Sequence, residues 1–239
     1  MKRKMWFYYL MLTGLLFIMI TSCKKDDTSN NDNNNNPTED TTTVKDIDGN
    51  VYHIIKIGTQ RWMLENLKTT KYRDGTSIPN VTDGVEWEDL TTGAYCDYNN
   101  VATNSNTYGR LYNWYSITNS HQLCPAGWHV PSDADWNLLV NYLGGDSIAG
   151  GKMKETGLTH WCTPNTGATN SSGFTALPAG MRTCPDGPFS NLQGRCTFWS
   201  STQDVIGYAW IRYIYSFQKS LTRNNYAMSH GYSIRCIKD

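Results

Sequence analysis

Apolar and polar positions divide the chain into three stretches of different character. Met5 to Ile20 are apolar apart from Thr13 and Gly14, and residues 24–43 then carry no Ala, Val, Ile, Leu, Met, Phe, Trp, Tyr or Cys. From Val44 onward apolar residues return in short islands with structural periods. Val51-Tyr52-His53-Ile54-Ile55-Lys56-Ile57 is β-branched and aromatic and follows Asp48-Gly49-Asn50, so it predicts a strand entered from a turn. Gln60 to Pro79 predicts a further extended segment with a turn at Asp74-Gly75. Two segments have helical spacing. GRLYNWYSITN places Leu111, Trp114, Tyr115 and Thr118 on one face, and PSDADWNLLVNYLGG does so with Trp136, Leu139, Val140 and Leu143. In the second, Ser132 is an N-cap with Asp135 three residues on, and Gly144 supplies a left-handed stop. Asp133 and Asp135 lie in the first turn, where the helix dipole favours anions, which accounts for them without a catalytic role. The last third, in GFTALPAGMR, TFWSSTQ, GYAWIRYIYSF and GYSIRCIKD, reads as short aromatic strands separated by turns. Loops rich in Gly, Asn, Thr and Ser lie between these elements, and loops carry binding. No fixed-period repeat is present, which argues against a solenoid or propeller. Strands, helices, loops and strands again predict an α+β class.

The N-terminal stretch reads as an export signal. Lys2, Arg3 and Lys4 precede an apolar run too short to span a bilayer comfortably. Ile20-Thr21-Ser22-Cys23 resembles a bacterial lipobox, which implies that residues 1–22 are a signal peptide and that Cys23 is acylated on its thiol and its new amine. Several acyl chains on one residue would hold the protein to a membrane. Lys24-Lys25-Asp26-Asp27 resembles the signal for outward display in lipoproteins of the Bacteroidetes type, with the periplasmic leaflet of the outer membrane as the alternative. Residues 23–43 cannot offset the entropy cost of ordering and predict a disordered Asn/Asp/Thr-rich tether. Its flexible-coil span is about 25 Å. Asp40-Thr41-Thr42 resembles a short O-glycosylation sequon. The folded domain is expected over residues 44–239.

Composition narrows the function. Lys plus Arg and Asp plus Glu are both 21, so the net charge is zero and no basic face for nucleic acid is expected. Nine Trp and fifteen Tyr can fill a core and also offer flat rings to a ligand. No G-x-S-x-G, P-loop or G-x-G-x-x-G motif occurs. His53, His121, His129, His160 and His230 form no ligand pair, and no C-x-x-C spacing exists, so no metal is assigned. Asp83, Glu86, Glu88 and Asp89 around Trp87 read as a solvated loop rather than as paired catalytic carboxylates.

The blocks DIDGNVYHIIKIGTQRWMLENLK, GRLYNWYSI, CPAGWHVPSDADWNLLVNYLGG, GKMKETG, GATNSSGFTALPAGMR, FWSST, AWIRYI and GYSIRCIKD occur in order. Together they resemble the Fibrobacter succinogenes major paralogous domain family over roughly residues 44–239. More distantly, HVPSDADW, FWSST, AWIRY and GYSIRC resemble the C-type-lectin-like fold, including its formylglycine-generating branch. That likeness implies two helices flanking small antiparallel sheets, long loops on one face, neighbouring termini and disulfide staples.

Six cysteines remain after Cys23, and an exported chain with six suggests disulfides, with 15 pairings open. The lectin-like resemblance implies Cys124 with Cys236. Cys184 and Cys196 flank a short loop and are the next expected pair, leaving Cys96 with Cys162. The formylglycine-generating branch implies reactive thiols and copper; with every thiol of the domain assigned to a bridge, no enzymatic activity and no cofactor are expected. Calcium-type lectins use Glu-Pro-Asn or Gln-Pro-Asp with Trp-Asn-Asp. Neither triplet occurs, and WSST stands where the last would fall, while a structural calcium elsewhere stays open. The expectation is therefore a lipid-anchored binding head for a glycan or a surface protein. A purely structural envelope component is the alternative. The candidate ligand residues are Trp161, Arg212, Tyr213 and Arg223, since rings stack on sugars and guanidinium groups bind hydroxyls or carboxylates. Of these Trp161 is expected to be exposed, whereas Trp199 and Trp210 sit in strand patterns and are expected in the core.

Overall fold

Asp46 sets the first turn. In the computed structural model, which describes residues 39–239, its carboxylate accepts the Asp48 and Asn50 amides at 3.0 and 2.9 Å, the Asn50 side chain at 2.8 Å and the Tyr52 hydroxyl at 2.6 Å. Gly49 takes φ 85°, a left-handed conformation without penalty for glycine. The turn joins β1 (Glu39–Lys45) to β2 (Val51–Ile57), which pair antiparallel. Residues 39–43, expected as the end of the tether, are therefore in β1, where ladder hydrogen bonds to β2 order them. The expected signal peptide, Cys23 and the rest of the tether lie outside the described residues.

The chain continues through β3 (Gln60–Met63), α1 (Gly84–Glu88), β4 (Tyr95–Cys96), α2 (Asn104–Tyr108) and β5 (Leu111–Tyr112). The extended segment expected over Gln60–Pro79 shortens to β3 and one bridge, Lys71 to Ser77. The helix expected at GRLYNWYSITN does not form; β5 and a single 3-10 turn at Trp114–Ser116 replace it. The reason is tertiary. Tyr112 exchanges backbone hydrogen bonds with Tyr232 at 2.9 and 3.1 Å, and the Trp114 amide reaches Met228 O at 2.9 Å, so distant strands take the groups a helix would have used.

After β6 (Trp128–His129), α3 (Asp133–Tyr142) forms as the spacing requires. Ser132 and Asp135 make both halves of the capping box, and Trp136, Leu139 and Val140 are buried. A further helix, α4 (Asp146–Met153), follows directly. Its paired glycines lower its helix propensity, yet they let neighbouring chain approach: a Cβ on Gly150 would lie 2.5 Å from Ser220 O, and one on Gly151 2.4 Å from Gly167 O. The C-terminal third supplies β7 (Ala179–Arg182), β8 (Phe189–Leu192), β9 (Arg195–Val205), β10 (Tyr208–Tyr215), β11 (Thr222–Ala227) and β12 (Ile237–Lys238).

Small antiparallel sheets and few helices make this a mixed α and β architecture. One sheet has the order β1-β2-β3-β12-β6, so the last strand inserts beside the first meander. A second has the order β11-β10-β9, and β4-β5 and β7-β8 are hairpin-sized pairs. The β11-β10-β9 sheet divides two cores. Trp62, Trp136, Phe174 and Phe198 pack on the face toward α3 and α4, with Trp62–Trp136 ring centroids 4.8 Å apart. Trp199, Ile211 and Tyr232 fill the opposite side, with Trp199–Tyr232 at 4.7 Å. Among the described residues, no helix is long and apolar enough to cross a membrane.

Cys124 and Cys236 are joined, with Cα atoms 6.1 Å apart. The bridge fastens the segment before β6 to the residue before β12. The other expected pairings are corrected: Cys96, Cys162, Cys184 and Cys196 are free thiols. The β7–β8 hairpin separates Cys184, which lies beside Ser229 O, from Cys196, which faces the helix-side core. Cys96 neighbours the Arg182 guanidinium, as Cys184 does, whereas Cys162 and Cys196 both neighbour Lys154. The expected partners thus sit in different clusters.

Candidate functional site

Strand alternation places the candidate residues on opposite faces of one sheet. In the β9–β10 register Arg195 faces Tyr215 and Thr197 faces Tyr213, while Arg212 faces Phe198 across the same ladder and Arg223 on β11. Tyr213 therefore lies on one side, Arg212 and Arg223 on the other.

On the helix side, Asp133 at the start of α3 gathers both arginines. Arg212 Nη2 donates to Asp133 Oδ1 at 3.0 Å and to Asn137 Oδ1 at 2.6 Å. Arg223 donates through Nε and Nη2 to the same carboxylate at 3.0–3.1 Å and lies 3.2 Å above the half-buried Trp210 ring. Arg212 is 1% exposed, so it braces α3 against the sheet rather than facing solvent. Trp161 is likewise 1% exposed, donates from Nε1 to Ala176 O at 3.0 Å, and is a core residue rather than the exposed ring expected. Trp199 is in the core as its strand pattern indicated, whereas Trp210, expected there too, is only half-buried, with its ring under Arg223.

Tyr213 belongs to a different constellation. Arg195, at the start of β9, has its guanidinium 4.1 Å from the Tyr213 ring, 5.1 Å from Tyr215 and 5.7 Å from Tyr226. Its Nη1 donates to the Tyr215 hydroxyl at 3.2 Å, whereas Nε and Nη2 are buried without a partner. Thr197 Oγ1 on the same face of β9, and Tyr232 Oη and His230 Nδ1, whose groups feel the Arg195 charge, are also buried without a partner among the described residues. Burial, with Arg195 adding to it, pushes His230 down to about 4, so its imidazole is neutral at pH 7. His230 packs on Tyr226 and Tyr232 at 5.5 and 5.7 Å. At the rim, Phe217 is 61% exposed and stacks on Tyr215 at 4.9 Å and 16°.

Three other buried arginines show how unusual Arg195 is. Arg182 spends its donors on the carbonyls of Gly187, Val81, Thr82 and Asp83. Arg235 spends its own on Asn66 Oδ1 and Phe174 O. Arg212 keeps Nε and Nη1 free, yet Asp133 neutralises its charge. Arg195 is 2% exposed and has neither carboxylate nor carbonyl on it among the described residues. Ring faces offset part of its charge, and a buried charge without an ionic partner costs on the order of several kcal/mol. Sequence reading missed Arg195, although the signal existed: Arg-x-Thr on one strand and Tyr-x-Tyr on the next put like-phased polar and aromatic residues on a shared face.

The remaining chemistry is self-satisfied. His53, His121, His129 and His160 each meet a carboxylate, Glu65, Asp74, Asp239 and Glu155 respectively. Asp83 caps α1, and Glu88 accepts the Asp186 amide at 2.9 Å. A cavity of about 320 Å³ lies beside the Cys124–Cys236 bridge, lined by Arg73, Ile117, Leu123, Trp128 and His129. Arg73 is consumed there by the carbonyls of Cys124, Pro125 and Trp128. Among the described residues, no group of three or more His, Cys, Asp or Glu side chains is placed to hold a metal.

The model of the Fibrobacter succinogenes major domain matches residues 55–238. No curated protein and no solved structure matches the chain.

Proposed function

This chain belongs to the Fibrobacter succinogenes major domain family, and we propose that it is a cell-envelope lipoprotein whose folded head recognises glycans without catalysing a reaction. The observation that carries the reading is the aromatic rim of Tyr213, Tyr215, Tyr226 and Phe217 around buried, unspent hydrogen-bond donors and acceptors. Flat rings give apolar contact to sugar faces, and fixed polar atoms beneath them orient hydroxyl-rich ligands. A lectin-like arrangement of the fold, with α3 and α4 packed on small sheets and the last strand inserted between β3 and β6, fits the same reading. Two of the four free thiols are poorly suited to a formylglycine-generating activity. Burial pushes Cys96 and Cys196 up to about 12, which suppresses the thiolate such a reaction needs. In this proposal Cys23 carries the lipid anchor, and the polar segment after it spaces the head from the outer membrane.

A glycan array probed with the full chain tests recognition. Binding weakened at least tenfold by Tyr215→Ala and by Phe217→Ala is expected. An array with no binder, or binding unchanged in both variants, would refute it. Incorporation of an alkyne fatty acid that is lost in Cys23→Ser, with protease shaving of intact cells, tests anchoring and display.

A further inference from the structure

We propose that the Arg195 site takes the carboxylate of an acidic sugar, a uronate within a glycan. This inference rests on the glycan reading above and names its substrate class. Arg195 is a guanidinium with Nε and Nη2 both unspent, the pair of donors that matches the two oxygens of a carboxylate. No acid of the described residues serves it, although the other buried arginines are each matched by a carboxylate, an amide oxygen or carbonyls. Thr197 Oγ1 and Tyr232 Oη are further unpartnered hydroxyls beside it, able to bond the ring oxygens and hydroxyls next to a uronate carboxyl. Neutral His230 adds no competing charge.

A neutral sugar would leave the cation without an anionic partner. The rings also distinguish a sugar from a peptide carboxyl terminus, because Tyr215 and Phe217 form a stacked, partly exposed platform continuous with the guanidinium. In the free protein the Tyr215 hydroxyl covers Nη1 at 3.2 Å. Entry requires this half-buried side chain, at the end of β10, to turn outward. The neutral acceptor lost at Nη1 is offset by the ionised one gained at Nε and Nη2.

The test uses the full chain with two uronate oligosaccharides, trigalacturonate and a glucuronate-containing hyaluronan tetrasaccharide, each compared with its carboxyl methyl ester. Acetyl-trialanine with a free carboxylate serves as a peptide control. Calorimetric binding and the thermal midpoint are read for wild type, Arg195→Met, Arg195→Lys and Tyr215→Phe. At least one uronate is expected to bind tenfold or more tighter than its ester. Arg195→Met should abolish that preference and raise the midpoint of the unliganded protein, because it removes an unmatched buried charge. Arg195→Lys, which keeps the charge but not the fork, should lose at least tenfold. Tyr215→Phe, which frees Nη1, should bind the acid as tightly as wild type or tighter. Equal binding of acid and ester overturns the carboxylate assignment while leaving glycan recognition standing. Acid preference that persists in Arg195→Met overturns the role of Arg195. Binding of the peptide acid alone, or of no probe, overturns the acidic-sugar assignment; glycan recognition then stands or falls on the array.

Discussion

Removing the Cys124–Cys236 bridge should destabilise the domain more than any other two-atom change. The bridge spans 112 residues. In the chain-entropy model a loop of that length restricts the unfolded chain by about 16 cal/mol/K, or about 5 kcal/mol at 25 °C. Both residues are buried, so Cys124→Ala with Cys236→Ala exposes no new charge and removes little packing. The loss is also local. Cys236 O accepts the Met63 amide at 3.0 Å, and its neighbour Ile237 pairs with both Trp62 and His129. The bridge thus holds the strand that closes the five-stranded sheet. Urea unfolding of the full chain followed by tryptophan fluorescence measures the effect, with Cys162→Ala, an exposed free thiol, as control. For a domain of this size the expected drop in thermal midpoint is about 10–20 °C. Amides at Met63 and Ile237 should lose hydrogen-exchange protection first. A double variant within about 1 kcal/mol of wild type, at unchanged denaturant slope, would show that the closed loop does not limit the unfolded chain and would refute the reasoning.

Two other perturbations have definite signs. Lys154 is fully buried, and its ammonium is ringed by the carbonyls of Thr166, Gln218, Ser216 and Tyr215 at 2.9–3.4 Å. Lys154→Met leaves those acceptors unmatched and should cost about 3 kcal/mol in urea titrations; an unchanged midpoint would contradict the role assigned to the ammonium. His230 has its folded value held at about 4, below the ordinary 6.5, by burial first and by Arg195 in addition. Its contribution is present above about pH 6.5 and is lost as pH falls toward 4, because the unfolded chain takes up the proton first. At about 1.4 kcal/mol per pH unit the stability advantage of wild type over His230→Gln should shrink by about 3 kcal/mol between pH 7 and 4; a difference independent of pH would refute it.

Much of this protein was legible in the chain because some information is local. Ser132 and Asp135 cap α3 through bonds three residues apart, and Asp46 closes its turn within six residues, so both motifs act in any context that leaves them intact. The strands β2, β9 and β10 follow from β-branched and aromatic runs, and the order of the sequence blocks identified the family. The helix expected at Leu111–Thr118 failed for the opposite reason: Tyr232 and Met228, over a hundred residues away, took its backbone groups. Helix α4 escaped notice because its Gly150-Gly151 pair carries no apolar period and is justified only by the chain that packs on it.

The site divides in the same way. Alternation determined that Arg195 and Thr197 share one face of β9, and that Tyr213 and Tyr215 share one face of β10 with Arg212 on the other; the register that puts the two pairs on the same side came from the fold. Alternation cannot say which face is covered, or by what. Only the tertiary structure sank Trp161 into the core, gave Arg212 and Arg223 to Asp133, and closed the tyrosines and His230 around an arginine with no acid of the described residues beside it. Those outcomes depend on contacts between segments far apart in sequence, and the free energy of a buried charge is fixed by every group that surrounds it rather than by the residue itself.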